Sequence, residues 1–328
     1  MPNSTPIVDG CTWTFDGYTG KLAASRATAL NLTVAGASEG FVGAMDRIQA
    51  VFELVHRNPE RLLVARTPAD VDAAAATGRV AIVLNFQNGA PLERDVGRLD
   101  VFHAVGVRNI QLTYNERNAI GDGCLEPSDA GLSRFGRHVV AHMNELGMVV
   151  DLSHTGRRTS FEAMAASSRP CVFSHANPRT MIDNVRNIED DQIRACADTG
   201  GVVGACAWGP ILWRGGENPP GLDDLLDVVE YVAELVGIEH VGIGTDSTTS
   251  ERDDHIDAHA REVNAAYPEV TAPFVARFGG TAKHRYPVPV ARLPEVGRRL
   301  VERGWTATEV ASVMGGNFAR VWRTVWSA

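Results

Sequence analysis

Eight short apolar runs, separated by segments of helical periodicity, constrain the fold of this chain more than any other feature. They are Ile7–Thr12, Leu30–Gly36, Val80–Gln87, Val107–Tyr114, Met148–His154, Cys171–Asn177, Gly201–Trp208 and His240–Asp246. Runs such as MVVDLS, GVVGACA and HVGIGTD show no polar alternation. Strands of that kind are buried on both faces, as in a parallel sheet. Helical patterns over Asp70–Thr77, Leu132–Leu146, Asp190–Asp198 and Leu222–Val236 each run into a glycine, at Gly78, Gly147, Gly200 and Gly237. Glycine is the usual residue just past a helix C-terminus. Eight strand–helix units within 328 residues predict one closed (β/α)8 barrel spanning 1–328. A doubly wound open sheet is the structural alternative. No Pro-, Gly- or Ser-rich linker divides the chain. The charged stretch 248–290 has no strand candidate and reads as an insertion after the eighth strand, a lid or an oligomer contact.

Composition sets the function classes aside. The net charge of -9 disfavours nucleic acid or an anionic membrane as the main partner. No apolar run nears the ~20 residues of a bilayer span, and neither a signal peptide at Met1–Gly10 nor a lipid-anchor tail is expected. The five widely spaced cysteines do not form a disulfide framework, which fits a cytoplasmic protein.

In a barrel the active site forms at the C-terminal ends of the strands. There the sequence places Cys11, Gln87, Tyr114, His154, His175, Trp208 and Asp246. Two histidines and an aspartate are donors that zinc or a similar divalent ion accepts. The alternative is strand-end polar residues satisfied by local hydrogen bonds. Two histidines on neighbouring strands plus an aspartate on the last favour a site.

The stretches GLSRFGRHVVAHMNELGMVVDLSHTG, FSHANPR, RNIEDDQIRACADTGGVVG, ELVGIEHVGIGTD and GGNFARVW together resemble the membrane (renal) dipeptidases of the amidohydrolase superfamily, from about Val8 to Trp322. The resemblance implies a metal-dependent barrel hydrolase. It makes His154 and His175 metal ligands, Asp246 a ligand beside the catalytic water, and Arg186 the grip on the substrate carboxylate. A guanidinium fork pairs bidentately with a carboxylate; the alternative for Arg186 is a surface or capping role.

The departures are equally informative. The family's His-x-Asp pair after Asp-Gly is replaced here by Asp9-Gly10-Cys11-Thr12-Trp13. The metal-bridging glutamate is Gln87, a neutral side chain, and a substrate-contacting histidine is Tyr114. The pattern resembles a bacterial branch of the family that lacks the His-x-Asp pair. One metal position is therefore expected to be dismantled, which leaves three readings. A single ion sits on His154 and His175 with Gln87 or water and Asp246 as base. Or Cys11 donates a thiolate, against its reading as a small buried cysteine. Or no metal binds and His154, His175 and Asp246 perform acid–base chemistry.

His255 and His259 share a helical face but read as a solvated surface pair. Asp122 and Glu126 read as turn residues, and Trp208 and Trp213 as a substrate wall or simple packing. The expected function is hydrolysis of dipeptides or dipeptide-like amides, with one zinc-like ion and a small substrate bearing a free carboxylate; a homodimer is possible by resemblance. The alternatives are a repurposed lyase, isomerase or N-substituted amino-acid hydrolase, or a non-catalytic binding relative, because a fold does not settle chemistry.

Overall fold

The computed structural model describes residues 6–326. The expectations about targeting segments bear partly on residues 1–5 and 327–328, which lie outside that range. No helix among the described residues is long and apolar enough to cross a membrane.

All eight expected strands are present, as β1 (Val8–Thr14), β2 (Ala29–Ala35), β4 (Val80–Phe86), β5 (Val107–Gln111), β6 (Val149–Asp151), β7 (Cys171–Phe173), β8 (Val202–Cys206) and β9 (Val241–Gly244). The sequence reading missed β3 (Leu62–Val64), a three-residue strand pairing with β4 outside the main order. It also ran several strands too long. His154 and His175 lie in the turns after β6 and β7, where the chain has left the ladder to present them.

Every pairing is parallel, in the order β1-β2-β4-β5-β6-β7-β8-β9. The sheet closes because β9 runs on into β10 (Ser247–Thr248), which pairs with β1 at Thr12↔Ser247. The open-sheet alternative is thereby excluded. The corner between β9 and β10 is tied to β1 by the Asp246 amide donating to the Cys11 carbonyl at 3.0 Å and the Thr245 amide donating to Asp9 at 2.7 Å.

The expected helices form with small boundary shifts. Pro68–Thr77 starts on a reciprocal cap between Thr67 and Asp70, and Arg134–Leu146 starts at Ser133, whose hydroxyl accepts from the Gly136 amide. The 248–290 insertion is helical, with Asp253–Ala266 and Pro268–Phe278 lying across the mouth of the barrel.

The bottom of the barrel is apolar. Val8, Ala29, Val83, Val149, Val172 and Val202 point inward and meet the C-terminal helix Asn317–Val325. Its Phe318 ring enters the barrel under glycines. A Cβ on Gly242 would sit 2.4 Å from that ring, and one on Gly10 would sit 2.8 Å away. Gly242 leaves the space the plug fills, and Gly10 leaves space both for the plug and for the Ser174 carbonyl, which would lie 2.7 Å from its Cβ. Phe318→Ala would empty a space the rigid strands cannot close, costing about 3–5 kcal/mol. Denaturant unfolding of the variant measures this, and a cost under 1 kcal/mol would contradict the plug.

Candidate active site

Above the apolar layer the barrel interior turns polar, and its top is a cavity of about 440 Å³ roofed by the two insertion helices. Several residues at its floor have left-handed backbone: His154 at φ 61°, Asp246 at φ 47° and Asn115 at φ 58°. Non-glycine residues rarely adopt this region, and such strain concentrates at functional sites.

His154 and His175 meet at 3.0 Å through their Nε2 atoms. The Asn115 Oδ1, which can only accept, lies 2.7 Å from His154 Nδ1, and Ser174 Oγ lies 2.7 Å from His175 Nδ1. With Nδ1 of His154 donating to Asn115, its neutral ring keeps a bare Nε2 lone pair aimed at His175. Burial, with Arg186 nearby, holds both histidines well below their ordinary pKa. They are therefore neutral imidazoles at pH 7, the form that binds metal.

Cys11, His175 and Asp246 form the second half of the floor. They are the one trio among the described residues whose ligand atoms all lie within 4.8 Å of one another. The Cys11 thiol sits 3.7 Å from Asp246 Oδ1 and accepts from Gln87 Nε2 at 2.7 Å. Gln87 is thus a donor that positions Cys11. Burial, reinforced by Asp246 and Asp9, pushes the thiol pKa well up. Burial also pushes Asp246 up to about 7, with Arg186 pulling against it. His175 belongs to both groupings, and His154 reaches the trio through it.

Arg186 is 2% exposed, which removes the surface alternative. Its Nη2 donates to the His175 carbonyl at 2.9 Å, while Nε and Nη1 are buried without partners. Tyr114 stacks on His154, ring centroids 4.1 Å apart, and burial keeps its phenol protonated.

The reading of His255 and His259 as a solvated pair holds only for His255. His259 stacks on Trp13 at 4.1 Å in the cavity wall, and burial pushes its pKa down to about 4. Trp208 lines the cavity, whereas Trp213 packs on Phe274 and Phe278. Asp122 and Glu126 hold the Arg117 turn, as expected.

Sequence reasoning overlooked Asn115, Asp9 and Arg285. Asp9 is fully buried beneath Cys11, takes hydrogen bonds from Thr12 and Thr245, and is pushed up to about 6 by burial. An aspartate inside a strand otherwise buried on both faces was the available signal. Asn115 directly follows the expected strand end at Tyr114, four residues beyond the end of β5 at Gln111. Arg285 had no sequence signal, because it comes from the insertion.

The membrane dipeptidase family model (peptidase family M19) matches residues 27–281. Dipeptidase verJ of Clonostachys rogersoniana is 32% identical over 210 residues, 63% of this chain and 53% of its own. Dipeptidase aclJ of Aspergillus oryzae is 26% identical over 84% of this chain and 59% of its own. The chain spans about half the length of the curated relatives it matches. The crystal structure of an amidohydrolase from Pseudomonas aeruginosa is 32% identical, with TM-score 0.86, covering 99% of this chain and 98% of its own. A Rhodobacter sphaeroides metallopeptidase, solved with a phosphinate mimic of the dipeptide L-Ala-D-Ala, shares the fold at TM-score 0.79 and 17% identity, covering 98% of this chain and 100% of its own. With 255 consecutive positions under the family model and a matching barrel, the chain belongs to the membrane dipeptidase family, peptidase family M19.

Proposed function

We propose that this chain is a metal-dependent hydrolase of dipeptides or dipeptide-like amides that uses a single, reduced metal site. The observation that carries the reading is His175: its Nε2 faces His154 at 3.0 Å, and the residue also belongs to the Cys11–Asp246 group.

The donor set fits a zinc-like ion: two neutral imidazoles, a carboxylate and a cysteine that would bind as the thiolate, losing its proton to the ion's charge. His154, His175 and Asp246 would hold it, with Cys11 as the added sulfur ligand in place of the missing His-x-Asp pair. Such an ion polarises a carbonyl and makes its bound water acidic. Gln87 keeps Cys11 oriented. Asp246 takes the proton from the attacking water and returns it to the leaving amine. The protonated Tyr114 hydroxyl donates to the substrate. Arg186, with two unpartnered nitrogens, binds the free carboxylate through its planar fork.

Elemental analysis of protein purified without chelator tests the reading, with His154→Ala as the control. The expected result is about one zinc-like ion per chain, strongly reduced in the variant. Two ions would overturn the single-site reading. None after incubation with zinc would overturn the metal mechanism.

A further inference from the structure

The cavity holds a second buried arginine. Arg285 is 1% exposed and lines the same cavity as Arg186 and Asp246. Its guanidinium lies 5.2 Å over the Trp208 ring. Nη2 donates to Asn264, while Nε is buried with no partner. Neither Arg285 nor Arg186 has a carboxylate at ion-pair distance among the described residues. By contrast the other arginine in the cavity wall, Arg47, is paired with Glu39 at 2.7 Å.

Burying a guanidinium without a counter-ion is costly, and proteins do so where a ligand supplies the missing charge. Burial lowers the Arg285 pKa, as expected of a cation short of its counter-charge. Three carboxylates line the cavity, Glu39, Asp246 and Glu262: Glu39 pairs with Arg47, neither of the others lies within ion-pair distance of Arg186 or Arg285, and the proposed hydrolysis already occupies Asp246. Two unpaired arginines therefore face one cavity in which a single carboxylate would satisfy only one of them.

We propose that Arg285 forms a second anion subsite, so that the preferred substrate carries two carboxylates, one at Arg186 and one at Arg285. This rests on the hydrolytic reading for the word substrate, but not for the binding of the two acid groups. The chemical class is an amide of an acidic amino acid, such as a dipeptide containing aspartate or glutamate. Apart from Asn264, which accepts from Nη2, Arg285 is flanked by the Trp208 ring, and its buried Nε has no acceptor.

Two measurements test it. In the first, glutarate and butyrate are titrated calorimetrically into the native protein, Arg285→Met and Arg285→Lys. The expected result is that glutarate binds at least about tenfold more tightly than butyrate to the native protein, that Met abolishes the difference, and that Lys restores part of it. In the second, kcat/KM is compared for matched Ala-Glu and Ala-Gln dipeptides, with the Glu form preferred by about tenfold or more and the preference lost in Arg285→Met. Equal binding of glutarate and butyrate by the native protein overturns the subsite, and this comparison decides even if the Met variant fails to fold. Selectivity that survives in Arg285→Met also overturns it. Glutarate selectivity lost on Arg285→Met, without hydrolysis of either dipeptide, upholds the subsite and overturns only the hydrolytic reading.

Discussion

Replacing His175 with alanine is expected to remove both the bound ion and turnover, while replacing His154 leaves a residual of each. The asymmetry follows from the floor of the cavity. His154 touches only the His175 half, at 3.0 Å, and is otherwise held by Asn115 and stacked under Tyr114. His175 meets His154 and is also the imidazole of the Cys11–Asp246 trio. Without His154, three donors still surround one point; without His175, the remaining donors fall into two separate groups. A metal ion contributes several kcal/mol to the transition state, and tenfold in rate corresponds to about 1.4 kcal/mol, so His175→Ala should lower kcat/KM by at least about a thousandfold. The ring is fully buried, so folding is checked by the thermal midpoint of the variant. Turnover that survives in a folded His175→Ala protein would refute a metal-centred mechanism. A His154→Ala defect as deep as that of His175→Ala would refute the shared role.

The barrel was legible because its strands are local signals: Val202–Cys206 and Val241–Gly244 are continuous apolar runs that only a parallel sheet buries on both sides. Leu62–Val64 was not, since three residues are too few to carry a periodicity. The floor residues His154, His175 and Asp246 were readable because a polar group closing an apolar strand is conspicuous. The walls were not. His259 and Arg285 come from the 248–290 insertion, and their burial depends on how Asp253–Ala266 and Pro268–Phe278 dock, a long-range event. A histidine pair four residues apart looks like a solvated helix face until Trp13, some 246 positions earlier, is seen stacked on one member. Gln87 illustrates the middle case: the sequence places it at a strand end, but the donation of its Nε2 to Cys11 depends on side-chain geometry.

Asp246→Asn is expected to remove much of the metal-free protein's loss of stability with rising pH and to abolish activity. Burial raises the Asp246 carboxyl from 3.8 to about 7, so between those values the folded chain holds a proton that the unfolded chain has released. Stability rises with pH only where the unfolded state binds more protons, and here it binds fewer. The metal-free protein should therefore lose stability as pH climbs from about 4 to 7, and a carboxyl moved that far accounts for roughly 4 kcal/mol. Asparagine keeps the shape and removes the ionisation, so the fall between about pH 6 and 7 should vanish and the slope below about 6 should be roughly halved, the remainder coming from Asp9, which is raised to about 6. Zinc bound at the proposed site should turn the sign around. Its ligands must be deprotonated, so the stabilisation it confers on the native protein should grow with pH across the same window. Denaturant midpoints from pH 4.5 to 7.5, with and without zinc, read both effects. On the proposed mechanism Asp246 serves as base only when ionised: kcat/KM of the native protein should fall below its pKa, and the Asn variant should be lower by about a thousandfold above that pKa, with the gap narrowing below it. An Asn variant that keeps the native pH slope in the metal-free state would assign the buried proton to another group and remove Asp246 from the role of base.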